Sequence, residues 1–215
     1  MRLFAPIFQK WLRSYSPTMW ATLTRAAYCG SNMTIGARFR ADGLPRVLLD
    51  QTAQIEIGSN VEFRRGVELR AHGNARITIE SDVRIDRGVR ILASNTAHIR
   101  IGRGCRIGLY SVLNGGDDID IGIDSLISGF VYLQTSQHRF DDKTVAIAQQ
   151  GYNHAPVKVE SGAWIAAHVV VMPGCTIGAR SVVGSNAVVT QSVPPEMIVG
   201  GVPARSLNLS EAQDD

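Results

Sequence analysis

Aliphatic residues return along this chain at two nested intervals. Ile35, Ile57, Ile79 and Ile101 are each 22 residues apart. Their surroundings repeat as well. Ile57-Gly-Ser-Asn-Val, Ile79-Glu-Ser-Asp-Val and Ile101-Gly-Arg-Gly-Cys each run aliphatic, glycine or acid, two polar residues, then a small apolar one. The inner interval is six residues: Val159, Ile165, Val171, Ile177, Val183 and Val189 follow without a break. Fixed-period self-similarity marks a repeat architecture and overrides local guesses about helix and strand. Six residues fit a short strand plus a turn, three such sides close a coil, and the 22-residue coils carry four residues more. With the aliphatic and small positions pointing inward, no coil buries its own apolar edge, so stability comes from stacking. Glycine recurs at the second position, as at Gly58 and Gly122, where a corner suits a residue without Cβ.

A six-residue aliphatic–glycine repeat running from Ile35 to Val189 resembles the hexapeptide-repeat family of left-handed parallel β-helices. The left hand is implied by that resemblance, because the general crossover rule gives right-handed connections. The fold class expected is all-β: a left-handed β-helix over residues 31–205, a helical segment over 1–30, a loop excursion over 134–158 and a polar tail over 206–215. The family is dominated by acyltransferases that use acyl-coenzyme A. A fold does not assign a reaction, so function rests on particular residues.

Composition changes the picture only at the margins. An aromatic share of 7% suits a narrow core of isoleucine and valine. A formal charge of +3, with no basic run, gives no groove for nucleic acid. Cys105 and Cys175 fall at the small fifth position and read as core packing. No cysteine spacing suggests a pair, so a reducing, cytoplasmic setting is the default.

The first thirty residues follow another rule. Phe4, Ile7, Phe8, Trp11, Leu12 and Tyr15 keep helical spacing, and Ser16-Pro17 opens a second helix running to about Ala27. Neither segment has the continuous apolar span needed to cross a membrane. Lys10 and Arg13 interrupt any signal-peptide pattern. The expectation is a cap on the first coil. The alternative is contact with the inner face of the cell membrane through Trp11, Trp20, Lys10, Arg13 and Arg25.

The repeat breaks once, between Leu133 and Val159, and long excursions from a regular scaffold usually carry function. Three stretches make the resemblance specific. They are the spacing from Ile121-Gly122 to His138, the repeat Trp164-Ile-Ala-Ala-His168, and the closing Gly200-Gly-Val-Pro203-Ala204-Arg205. Together they are similar to acetyltransferases of the galactoside, maltose and nodulation-factor type. The resemblance implies an O-acetyltransferase that moves an acetyl group from acetyl-CoA to a sugar or glycan hydroxyl, in surface-polysaccharide assembly. His138 is then the general base, and the Ala167 N–H the oxyanion donor. Such a base is typically worth about 10²–10⁴ in rate, and a rigid backbone donor needs no reorganisation.

The same resemblance places coenzyme A against Trp164, Ala167 and Ser185, with Thr190, Gln191 and Arg205 toward the nucleotide. Arg205 is the natural phosphate partner. Ala166 stands where glycine is usual, narrowing the channel floor, and Gln191 where lysine is usual, removing a cation. A packing role for Trp164 between subunits stays open. On the acceptor side, Asn114, Asp141, Asp142 and His154 are candidates, and either aspartate is also placed to orient His138. His72 and His98 read as solvated corner residues. Family members are usually homotrimers, and flat-sided prisms suit such packing. N-acylation of a sugar nucleotide and a non-catalytic scaffold are the alternatives. Zinc chemistry of the carbonic-anhydrase kind is not expected, since no two histidines lie five residues apart, and no metal ligand is assigned.

Overall fold

The structure is a computed structural model that describes residues 16–207. It forms a left-handed parallel β-helix whose coils have three sides, here A, B and C. First-position aliphatics stack in register along side A: Ile57 on Ile79, Ile79 on Ile101, Ile101 on Ile121. The excursion leaves this register intact, because Ile121 meets Val159 and Val159 meets Ile177. First- and fifth-position side chains fill the interior, and Ile79, Val83, Ile85 and Val89 are each no more than 1% exposed. Burying one such side chain contributes about 1.5–3 kcal/mol, and each coil offers backbone acceptors to the one before it, as in Gly58 N–H to the Ile79 carbonyl at 2.7 Å.

The four extra residues of the long coils have a definite place. Side B strands hold two residues from Arg40–Ala41 to Val182–Val183. Sides A and C hold four in the early coils (Gln54–Ile57, Glu68–Ala71) but two in the late ones (Thr176–Ile177, Val188–Val189). The additions therefore lengthen the two sides that meet at the A–C vertex. The prism tapers as the coil shortens from 22 residues (Ile79 to Ile101) through 20 (Ile101 to Ile121) to 18 (Val159 to Ile177).

The corners show why a residue without Cβ suits the second position. The second-position glycine answers a close approach between coils, since a Cβ on Gly58 would lie 2.6 Å from the Ser81 nitrogen. The left-handed residue is the fourth, and large side chains take it: φ is 54° at Tyr110, 60° at Phe130 and 60° at His168. Their rings stack along the B–C vertex, with centroids 5.5 Å apart for Tyr110–Phe130 and 4.8 Å for Phe130–His168. His72 and His98, for their part, are half-buried and hydrogen-bonded across coils. His72 Nδ1 lies 3.2 Å from an Asp50 oxygen, and His98 Nε2 lies 2.9 Å from the Thr78 hydroxyl.

Helix α1 (Ser16–Tyr28) lies against the Arg40–Ala41 strand. Trp20 packs on the core, and the Arg25 guanidinium donates to the carbonyls of Ile35 (2.6 Å) and Gly36. Trp20 and Arg25 thus face the coil, which corrects their place among membrane-interface candidates. Lys10, Trp11 and Arg13 lie outside the described residues. No helix among the described residues is long and apolar enough to cross a membrane. Cys105 and Cys175 are buried in the core, and burial pushes the Cys105 thiol up to about 11.

Candidate active site

The chain leaves side C after Tyr132–Gln134, at the A–C vertex where the prism narrows, and rejoins side A at Val157–Val159. Thr135, fully buried, pins the root. Its Oγ1 accepts the N–H groups of Gly116 (2.8 Å) and Asp117 (3.0 Å) and donates to the Asn114 carbonyl (2.9 Å). Ser136–His138 then pairs antiparallel with Tyr152–His154, setting Ser136 opposite His154 and His138 opposite Tyr152. Opposed residues share a face of such a ribbon, as do residues two apart along a strand. One face therefore carries Ser136, His138, Tyr152 and His154, and the other Gln137 and Asn153.

Side-chain contacts follow this register. Ser136 Oγ lies 2.9 Å from His154 Nδ1. The His138 ring centroid is 4.2 Å from that of Tyr152, and the Tyr152 ring is 6.0 Å from His154. Gly116 makes room beneath, since a Cβ there would lie 2.2 Å from Ser136 Oγ and 2.7 Å from His154 Nδ1. Neither ring nitrogen of His138 has a hydrogen-bond partner among the described residues.

The other acceptor-side candidates are engaged locally. Asp141 pairs with Arg139 at 3.2 Å, and that hydrogen bond holds its carboxyl below the usual carboxylate range. Asp142 accepts from the Thr144 hydroxyl (2.7 Å) and N–H (2.8 Å), which lowers it likewise. Asn114 sits on side C and donates its side-chain amide to the Tyr132 hydroxyl at 2.9 Å.

The cofactor-side candidates lie on the late coils. Trp164, 45% exposed on side B, donates its indole N–H to Ser128 Oγ at 3.1 Å. Ala167 turns the B–C vertex, where its carbonyl accepts from Asn186 at 2.9 Å and its own N–H has no acceptor among the described residues. Ser185 stands at the equivalent corner one coil on. Arg205 follows on the short strand that closes side B against Gly200. Trp164 and Arg205 therefore lie on side B, and Ala167 and Ser185 turn its corner with side C. Thr190 and Gln191, both exposed, lie at the far end of side C in the last coil. Ala166 is 5% exposed.

The structure thus gathers the candidates into two groups. His138 and His154 project from the A–C vertex, whereas Trp164 and Arg205 lie on side B and Ala167 and Ser185 at the B–C vertex. Side B changes character along the way, from Arg40, Glu62, Arg84 and Arg106 in the early coils to Leu126, Trp164 and Val182 in the late ones. Tyr152, Ser136, Gly116, Thr135 and Ser128 were missed in the sequence. The paired strands that carry the first two, Ser136–His138 and Tyr152–His154, are too far apart in sequence to give a hairpin signal.

The family model for bacterial transferase hexapeptide (six repeats) matches residues 156–191. A probable acetyltransferase of Mycobacterium tuberculosis is 30% identical over 204 residues, 91% of this chain and 60% of that protein. Galactoside O-acetyltransferase of Escherichia coli is 34% identical over 88 residues, 40% of this chain and 42% of that protein. The chain spans less than two thirds of the length of these curated relatives. Among solved structures, the polySia-specific acetyltransferase NeuO superposes with a TM-score of 0.59 at 21% identity, covering 83% of this chain and 87% of that one. A mutant of AntD, an N-acyltransferase from Bacillus cereus, solved with dTDP and coenzyme A, gives 0.58 at 16% identity, covering 91% of each chain. At these identities the two likenesses concern the fold.

Proposed function

We propose that this chain is an acetyltransferase of the hexapeptide-repeat family and transfers an acetyl group from acetyl-CoA to a hydroxyl of a sugar or glycan, with His138 as general base. A sugar hydroxyl is almost fully protonated at neutral pH and attacks a thioester poorly. The imidazole takes its proton as the oxygen attacks the carbonyl carbon, then returns that proton to the departing thiolate. The Ala167 N–H, aimed off a rigid corner, donates to the oxyanion that develops between the two steps. Trp164 and Ser185 flank the thioester arm, Thr190 and Gln191 lie toward the nucleotide, and Arg205 meets the phosphates.

The observation that carries the reading is the state of His138. It stands on the one excursion from the coil with both ring nitrogens unengaged among the described residues, whereas His72, His98 and His154 each hold a side-chain partner. The saccharide acceptor is supported by the names of the relatives, a galactoside O-acetyltransferase and a polySia-specific acetyltransferase. Surface-polysaccharide assembly at the inner side of the cell membrane is the corresponding setting.

The reading includes a homotrimer. His138 and Ala167 leave the prism at different vertices, so a neighbouring copy is needed to bring base and oxyanion donor together. The exposed apolar residues Leu126, Trp164, Tyr110 and Phe130 supply a surface for that neighbour. The test is release of free thiol from acetyl-CoA across a panel of sugars and glycosides. Acceptor-dependent release supports the reading. A chain that binds no acetyl-CoA at all contradicts it and favours a scaffold.

A further inference from the structure

Resting on His138 as the base, we propose that Tyr152 is the positioning residue of that base, itself held by the Ser136–His154 pair. The hairpin is the only support the imidazole has among the described residues. Its ring lies 4.2 Å from the Tyr152 ring at a tilt of 36°, and no hydrogen bond fixes its rotation. A general base with two free torsions spends most of its time turned away from the proton it must take. Contact with a flat ring removes most of those orientations before substrate arrives.

The support continues on the far side of the tyrosine. His154 lies 6.0 Å from Tyr152, with the rings 27° from parallel. Ser136, at the hairpin root, fixes His154 through the 2.9 Å contact with Nδ1. Buried Thr135 and Gly116 set the root in turn. The order of dependence runs Thr135 and Gly116, Ser136, His154, Tyr152, His138. Tyr152 is 53% exposed and touches no part of the apolar core, so the coil does not require its ring. A purely structural role, as one half of a cross-strand pair, asks only for a residue that suits a strand.

That difference makes the test. Tyr152→Phe, Tyr152→Ile and Tyr152→Ala are compared by steady-state kinetics with acetyl-CoA and the acceptor that supports turnover, alongside His138→Ala and thermal melts. If Tyr152 positions the base, the phenylalanine variant keeps kcat within a factor of about three. Isoleucine and alanine then both lose ~10–100-fold, a loss of the size that misplacing a catalytic group produces. The KM for acetyl-CoA stays unchanged, and the His138 proton resonances lose the upfield ring-current shift seen in the wild type. Wild-type kcat in the isoleucine variant overturns the proposal in favour of simple strand pairing. Wild-type kcat in the alanine variant, with His138→Ala inactive, overturns the positioning role and leaves the base assignment standing. An active His138→Ala removes both.

Discussion

The Trp164 indole N–H donates to the Ser128 hydroxyl of the preceding coil at 3.1 Å. This bond fixes the azimuth of a large side chain that is otherwise nearly half exposed, and so fixes one wall of the proposed thioester channel. Ser128→Ala frees the indole without touching the interior. The expected result is a two- to tenfold rise in the Kd for acetyl-CoA, the equivalent of about 0.5–1.5 kcal/mol for one hydrogen bond, with little change in Tm. Isothermal titration calorimetry checks it, and an unaltered Kd contradicts the assignment of Trp164.

Glu68 ties two coils together on side C, accepting from Arg70 at 2.8 Å and from Arg90 at 3.1 Å. Burial alone pushes its carboxyl up, but the hydrogen bonds and charges of Arg90 and Arg70 outweigh that and hold it below its ordinary 4.5. A carboxyl depressed in the folded state contributes stability above its unfolded pKa and loses it as pH falls through the folded one. Wild type and Glu68→Gln should therefore differ most at neutral pH, by about 1–3 kcal/mol, and converge in the acid range below pH 4.5. Urea melts across pH measure the difference. A gap that widens on acidification has the wrong sign.

The three cysteines should separate cleanly by accessibility. Cys29 is exposed, while Cys105 and Cys175 are buried with their thiols pushed up by desolvation. A thiol needs its thiolate to react. An aromatic disulfide reagent at neutral pH should modify one thiol rapidly, and all three only after denaturation. Rapid modification of two or more would mean that the late coils open.

The two vertices predict complementation between subunits. His138→Ala removes the base, and Ala167→Pro removes the corner N–H. Proline fits that third position, which Pro173 already occupies at another corner. Each variant alone should be inactive. Co-expressed, they should form mixed trimers in which some interfaces regain both groups, with activity well above either parent. No recovery from a mixed, correctly sized assembly would place the whole site within one chain.

Much of this was legible before any coordinates. Interior side chains obey a strict spacing, and the stacking of Ile57, Ile79 and Ile101 is that spacing made solid. At the corners the need for a residue without Cβ was legible, but the position of the left-handed residue was not. Gly58 yields to a neighbouring coil, whereas the left-handed turn falls two residues on and tolerates Phe130. At the site, the resemblance pointed to His138 and Trp164 but not to the side chains that fix them. Tyr152 and Ser136 lie on the excursion, which has no repeat to align against, and Ser128 acts through one hydroxyl set by coil geometry. Asp141 and Asp142 drew attention as acids near a histidine; the hydrogen bonds they accept from Arg139 and Thr144 were not legible there.

The most direct test of the account removes the base and leaves everything else in place. Acceptor-dependent thiol release from acetyl-CoA is measured for wild type and His138→Ala, with acetyl-CoA affinity and Tm followed on the same preparations. The account predicts that kcat falls by about 10²–10⁴ while Kd and Tm stay near wild type. Turnover retained within a few-fold, or lost only together with stability, would contradict His138 as the catalytic base.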